Sequence, residues 1–197
     1  MAADLEEVME ELAVSEFHLL GYSMGSCIAL QYAHEHGEKV KSLFLLSGTA
    51  GGALYAKPSK ELSAQLANPQ GATLWDLYMS TFKLMYSPEA LQRCEPALRA
   101  IFENSKSHIT SPLALMGHSN AFRYFDGTSY LPTLHMPTTV LAGANDRLMP
   151  IQNSKNLAGA IPGAKLVVLP DCEHGAHVQA EATVIAEIDT ALIHSYA

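Results

Sequence analysis

Basic charge is scarce in this sequence. Twelve Lys and Arg stand against twenty Asp and Glu, for a net charge of −8. The clustered cations that a phosphate backbone requires are missing. Nucleic acid is therefore not expected as a partner, and neither is an anionic membrane surface. Cysteine is scarcer still. Cys27, Cys94 and Cys172 form no CxxC pair, and three cysteines in a chain of this length are not a disulfide framework. A reducing compartment, the cytoplasm, is expected. No apolar run approaches the ~20 residues needed to span a bilayer. The acidic start, MAADLEEVMEEL, has neither the basic region nor the apolar run of an export signal. GxGxxG and GxxxxGK[ST] are both absent, so no nucleotide cofactor is expected. His34 and His36 lie two apart on a predicted helix and face different ways, a poor metal pair. They read as solvated residues at a helix C-terminus, and no metal site is expected.

What is present is a globular composition. The 197 residues are 48% hydrophobic and 16% charged, enough for one domain with a real core. There is no internal repeat. Residues 4–13 predict a helix with Leu5, Val8, Met9 and Leu12 at helical spacing. Short apolar strands follow at 16–22, 40–48, 137–144 and 164–170. Helices are predicted at 24–36, 151–160 and about 180–194. Near-continuous apolar strands alternating with helices imply an α/β fold, a mainly parallel sheet of about four strands covered on both faces. The stretch from 51 to 130 differs, being helical and rich in aromatics and methionine. The expected organisation is a core from 1–50 and 131–197, with 51–130 as a helical cap.

Parallel sheets place their chemistry beyond the carboxyl ends of the strands. Three such ends carry reactive residues. After the first strand stands Gly21-Tyr22-Ser23-Met24-Gly25, a G-x-S-x-G run between a strand and a helix. A serine on so tight a turn projects its oxygen into open space, and side chains two before and two after would clash. Asp146 ends the strand in AGANDRLMP, and His174 ends the next in PDCEHGAH. The order Ser, Asp, His suits a nucleophile, an orienting acid and a general base. Alternatives exist on the same residues. His177 could replace His174 as base. Asp171 and Glu173 could serve as the acid only by doubling back within the histidine's own loop. Gly117-His118-Ser119-Asn120-Ala121 mimics the serine turn without a preceding strand, so Ser119 reads as a helix cap. Cys27 reads as core, and Cys172 lacks a matching turn.

FHLLGYSMGSCIALQYAHEHGEKVKSLFLLSG resembles the nucleophile-elbow segment of α/β-hydrolases of the esterase, lactonase and haloperoxidase-like type. PTTVLAGANDRLMP resembles their acid-bearing strand, and IPGAKLVVLPDCEHGAHVQAEATVIAEI their last strand, histidine loop and final helix. The resemblance implies Ser23 as nucleophile, Asp146 as acid and His174, in preference to His177, as base. It also implies the Met24 backbone N–H as an oxyanion donor, with no cofactor. The expected reaction is hydrolysis of an ester, lactone or thioester of a small apolar acid through an acyl-enzyme. The same apparatus in this family also performs carbon–carbon bond hydrolysis and perhydrolysis. Tyr22, Trp75, Tyr78, Met79 and Phe82 are expected to line the apolar substrate site.

The resemblance is to the C-terminal portion of such an enzyme. Family members carry further strands before the elbow, and one loop there supplies a second oxyanion donor. Only a helix and a few residues precede Phe17. The expectation is a truncated or partner-dependent chain, weak in activity, self-associating as a homo-oligomer through the strand at 17–22. Two alternatives accompany it. One is a minimal hydrolase completed by an N–H from the glycines at 48–52. The other is a non-catalytic protein that binds a small ligand or a partner chain.

Overall fold

The computed structural model describes residues 1–108 and 110–195. Its sheet has four parallel strands in the order β1 (Phe17–Tyr22), β2 (Val40–Leu46), β3 (Thr138–Gly143), β4 (Lys165–Leu169). The helices around it are α1 (Ala2–Glu11), α2 (Met24–Glu35), α7 (Gln152–Ala160), α8 (Ala176–Gln179) and α9 (Glu181–Ser195). Between β2 and β3 the chain runs through α3 (Lys60–Ala67), α4 (Leu74–Met85), α5 (Pro88–Ser105) and α6 (Pro112–Tyr124). Among the described residues no helix is long and apolar enough to cross a membrane.

The strand sequences explain their places. β2 and β3 are buried almost throughout, as central strands covered on both faces must be. Alternation along β2 feeds two cores. Leu43 and Leu45 join Leu30, Tyr32, Val140 and Leu157 beneath α2 and α7. Phe44 and Leu46 join Leu141, Leu169 and Val184 beneath α9. β1 and β4 form the two borders of this sheet. There Leu20 and Val168 are exposed, although their apolar runs suggested full burial. A border strand has a neighbour on one side only, so part of its surface stays open.

α1 departs from its expected facing. Leu5 packs on the core, but Val8 and Leu12 are exposed. Its inner side is a narrow stripe that also carries Glu6. The Glu6 carboxylate accepts from the Tyr32 hydroxyl at 2.5 Å and from the Lys39 ammonium, tying α1 to α2. His34 and His36 are likewise more than solvated, stacking on Tyr130 and tilting against Tyr32 respectively.

The helices between β2 and β3 start where local chemistry directs. Ser59, Thr73, Ser87 and Ser111 cap α3, α4, α5 and α6, each side chain accepting a backbone N–H of the first turn. Thr73 and Asp76 complete a reciprocal capping box. Ser119 lies inside α6, so the expectation that it caps a helix is corrected to Ser111.

Candidate active site

β1 runs straight into Ser23, which sits at φ 53°, ψ −120°. That left-handed backbone is strained for a residue with a side chain and lifts the hydroxyl out of the turn. Gly21 makes the turn possible. A Cβ there would lie 2.5 Å from the Gly25 carbonyl oxygen and 2.7 Å from the Ser26 Cα. At Gly25 a Cβ would meet nothing within 4 Å. The need for a tiny residue thus applies two residues before the serine and not two after it. The turn is fastened from below. Ser23 N–H donates to the Leu46 carbonyl at 2.9 Å, and the Ser26 hydroxyl donates to the Ser23 carbonyl at 2.6 Å.

β3 delivers Asp146 and β4 delivers His174, both buried. One carboxylate oxygen of Asp146 accepts the N–H groups of Leu148 at 2.9 Å and Met149 at 2.7 Å. The other lies 2.8 Å from His174 Nδ1. His174 Nε2 lies 3.0 Å from Ser23 Oγ. An ionised carboxylate only accepts, so Nδ1–H donates to Asp146 and Nε2 is left to accept the Ser23 hydroxyl. The loop of His174 is pinned in turn. The Ser47 hydroxyl donates to its carbonyl at 3.3 Å, and Glu173 N–H donates to the Gln179 side chain at 2.8 Å. Met24 opens α2 directly after Ser23, so its N–H is one of the first-turn groups with no acceptor within the helix.

The other candidates fall in different places. His177 is near the site but is not hydrogen-bonded to Ser23. It packs edge-on against Tyr22 with ring centroids 4.4 Å apart. Burial, then the neighbouring His174, holds its imidazole below the usual histidine range. Cys27 is core, its thiol pushed up to about 12 by burial. Burial also raises the Cys172 thiol, which disfavours a thiolate there. Glu173 pairs with the Gln179 amide. Among the described residues no group of His, Cys, Asp and Glu is arranged to hold a metal ion.

Of the five residues expected to line the substrate site, the structure places Tyr22 against the triad, 5.2 Å from the His174 ring. Trp75 and Tyr78 meet Phe102 of α5 edge-on at 5.2 and 5.0 Å, and Phe82 joins Tyr86. Met79 lines a groove with Lys83, Leu91 and Arg147. These four close the α4–α5 pair. The cavity that includes Met24, about 200 Å³ in volume, lies instead between α2, α6 and the start of the chain at Met1 and Ala2. Cys27, Ile28, Ala121, Phe122 and Phe125 line it. Ile28 lies on α2, Phe122 on α6 and Phe125 just after it. Nothing in the spacing of the two aromatics points to α2. The glycine loop after β2 is largely engaged. Gly51 N–H donates to the Thr49 hydroxyl and Gly52 N–H to the Phe125 carbonyl, so neither is available as the second oxyanion donor.

The family of the α/β hydrolase fold matches residues 1–181. Among curated proteins the chain is 27% identical over 178 residues to RutD, a candidate carbamate hydrolase of Klebsiella pneumoniae subsp. pneumoniae, covering 90% of this chain and 66% of RutD. It is 28% identical over 177 residues to a 2-hydroxy-6-oxononadienedioate/2-hydroxy-6-oxononatrienedioate hydrolase of a Pseudomonas species, covering 86% and 60%. The chain thus spans about two thirds or less of the length of these relatives. Among solved structures, a hydrolase from Pseudomonas aeruginosa PA01 superposes with a TM-score of 0.79 at 24% identity, covering 97% of this chain and 70% of that one. The enol-lactonase of Burkholderia xenovorans LB400 gives 0.79 at 18%, covering 98% and 71%. At such identities these structures speak for the fold alone.

Proposed function

The chain belongs to the α/β-hydrolase family, which matches it over residues 1–181, and from that premise we propose that it is a serine hydrolase acting on an ester, lactone or thioester of a small apolar acid. The observation that carries this reading is the unbroken line from Ser23 Oγ through the His174 ring to Asp146, with spacings of 3.0 and 2.8 Å, at the end of a strained strand-to-helix turn. In this reading residues 51–130 form the cap over a core of 1–50 and 131–197.

The chemistry follows from the geometry. Ser23 Oγ attacks the substrate carbonyl as its proton passes to His174 Nε2. Asp146, its charge steadied by two backbone N–H groups, offsets the imidazolium. The tetrahedral oxyanion forms beside the Met24 N–H at the positive end of α2. His174 returns its proton to the departing alcohol or thiol, leaving an acyl ester on Ser23. A water that gives its proton to the same nitrogen then attacks the acyl carbon, and His174 passes that proton to Ser23 Oγ as the acid leaves. The cycle closes with no cofactor. The apolar cavity bounded by Ile28, Phe122 and Phe125 supports a small apolar acyl group.

A fluorophosphonate probe and a series of p-nitrophenyl esters from acetate to octanoate test this. Ser23 is expected to be labelled, with butyrate and hexanoate turned over fastest. Ser23→Ala is expected to abolish labelling and lower turnover by about 10³-fold or more. Ile28→Trp, which fills the cavity, is expected to move the preference towards acetate. Labelling that survives in Ser23→Ala, or a wild-type chain that is never labelled, refutes the reading and favours a ligand-binding protein.

A further inference from the structure

Two rings beside the triad carry polar atoms that make no polar contact. Tyr22 Oη and His177 Nδ1 are shut off from solvent and have no hydrogen-bond partner among the described residues. Buried polar atoms are ordinarily bonded, because leaving one unsatisfied is costly. The rest of the side chain must then account for these residues, and in both it is the ring that makes contact. His177 meets Tyr22 with centroids 4.4 Å apart and planes at 62°. Tyr22 lies against His174 with centroids 5.2 Å apart and planes at 39°. Spacings of this order are favourable for aromatic pairs.

His174 needs such support. Its bonds to Asp146 and Ser23 hold the two ring nitrogens along one line. A ring held along a line can still tilt about it, and tilting misdirects the nitrogen lone pair. We propose that Tyr22 and His177 are positioning residues, whose rings rather than polar atoms hold the His174 plane so that both nitrogens stay aligned. This rests on the reading of Ser23, His174 and Asp146 as a triad.

The fold gives both residues the means. Tyr22 is the last residue of β1 and adjoins Ser23, so one strand end sets the nucleophile and backs the base. His177 lies on α8, and that short helix is held at both ends. Val178 packs on the cluster of Tyr86, Ala90, Cys94 and Leu98. Gln179 reaches back to Glu173. Tyr86 Oη occupies the space at Gly175, 1.8 Å from where a Cβ would be. His177 therefore has little room to swing away from Tyr22. Burial also keeps it from becoming a second cation beside a base that must itself become one.

Proton NMR of the His174 Nδ1–H, read beside kinetics, tests the proposal. The wild-type chain is expected to show the low-field resonance of a ring N–H bonded to a carboxylate. His177→Ala is expected to broaden or remove it and to lower kcat about 10- to 100-fold with KM little changed, while far-UV circular dichroism stays native. His177→Phe, which returns a ring without its nitrogens, is expected to recover both. Tyr22→Leu is expected to behave like His177→Ala. An unaltered resonance in His177→Ala, or its loss in His177→Phe, overturns the proposal. A wild-type chain without the resonance overturns it together with the triad. A wild-type chain with the resonance but no ester turnover overturns only the assigned activity.

Discussion

The Ser26 hydroxyl lies 2.6 Å from the carbonyl oxygen of Ser23 and donates to it. The Ser26 hydroxyl oxygen in turn accepts the Thr49 N–H at 3.3 Å. One small side chain thus joins the serine turn to the loop after β2. Gly48 leaves room for it, since a Cβ there would fall 2.1 Å from the hydroxyl. Ser26→Ala removes both bonds and strands a buried N–H. A loss of about 1–3 kcal/mol is expected in urea unfolding, with turnover reduced. Stability equal to wild type would contradict it.

The two glycines of the serine turn are expected to respond differently. Gly21→Ala forces a methyl into the Gly25 carbonyl and the Ser26 backbone and should cost about 1–3 kcal/mol. Gly25→Ala meets open space at the start of α2, and helix propensity favours it by up to about 1 kcal/mol. Thermal melting of both variants measures the contrast. Equal losses would show that the turn is crowded on both sides.

Acid sensitivity should trace partly to His177. Its folded-state value is depressed from the ordinary 6.5, by burial first and His174 second. The unfolded chain therefore binds a proton more readily below about pH 6.5, and stability falls as pH drops through that range. Above it the ring is neutral in both states and the contribution is constant. His177→Phe is expected to flatten this part of the profile, and unfolding midpoints from pH 8 to pH 5 measure it. A wild-type slope that persists in the variant would assign the effect elsewhere.

Self-association is expected through β1, a border strand of the described sheet on which Leu20 is 44% exposed. Leu20→Lys places a charge on that border and should shift the chain towards monomer in sedimentation velocity. An unchanged distribution, or a monomeric wild type, would remove β1 from consideration.

The strands of the sheet were legible because their signals are local. Val40 to Leu46 and Thr138 to Gly143 are apolar runs that only a central strand can hide, and the triad candidates stand directly after strands. What the sequence does not carry is which helix meets which. Trp75, Tyr78 and Phe82 have the composition of a substrate wall, yet Phe102 meets the rings of Trp75 and Tyr78, and Tyr86 meets that of Phe82. Val8 has the spacing of an inward residue, yet Glu6 proved the inward one, because Tyr32 and Lys39 offered it partners. Ile28 and Phe122 became neighbours only through the path of the intervening chain.

Ser23 and His174 are separated by 151 positions along the chain. A ribosome delivers Ser23 before the histidine proposed as its base, which follows only after β2, β3 and β4 have been made. A nascent chain carrying Ser23 but not yet His174 has a hydroxyl with nothing to take its proton, so it can neither cleave its surroundings nor acylate itself at a useful rate. In the proposed reading reactivity is deferred until β4 docks, and the appearance of probe labelling during synthesis would mark that step.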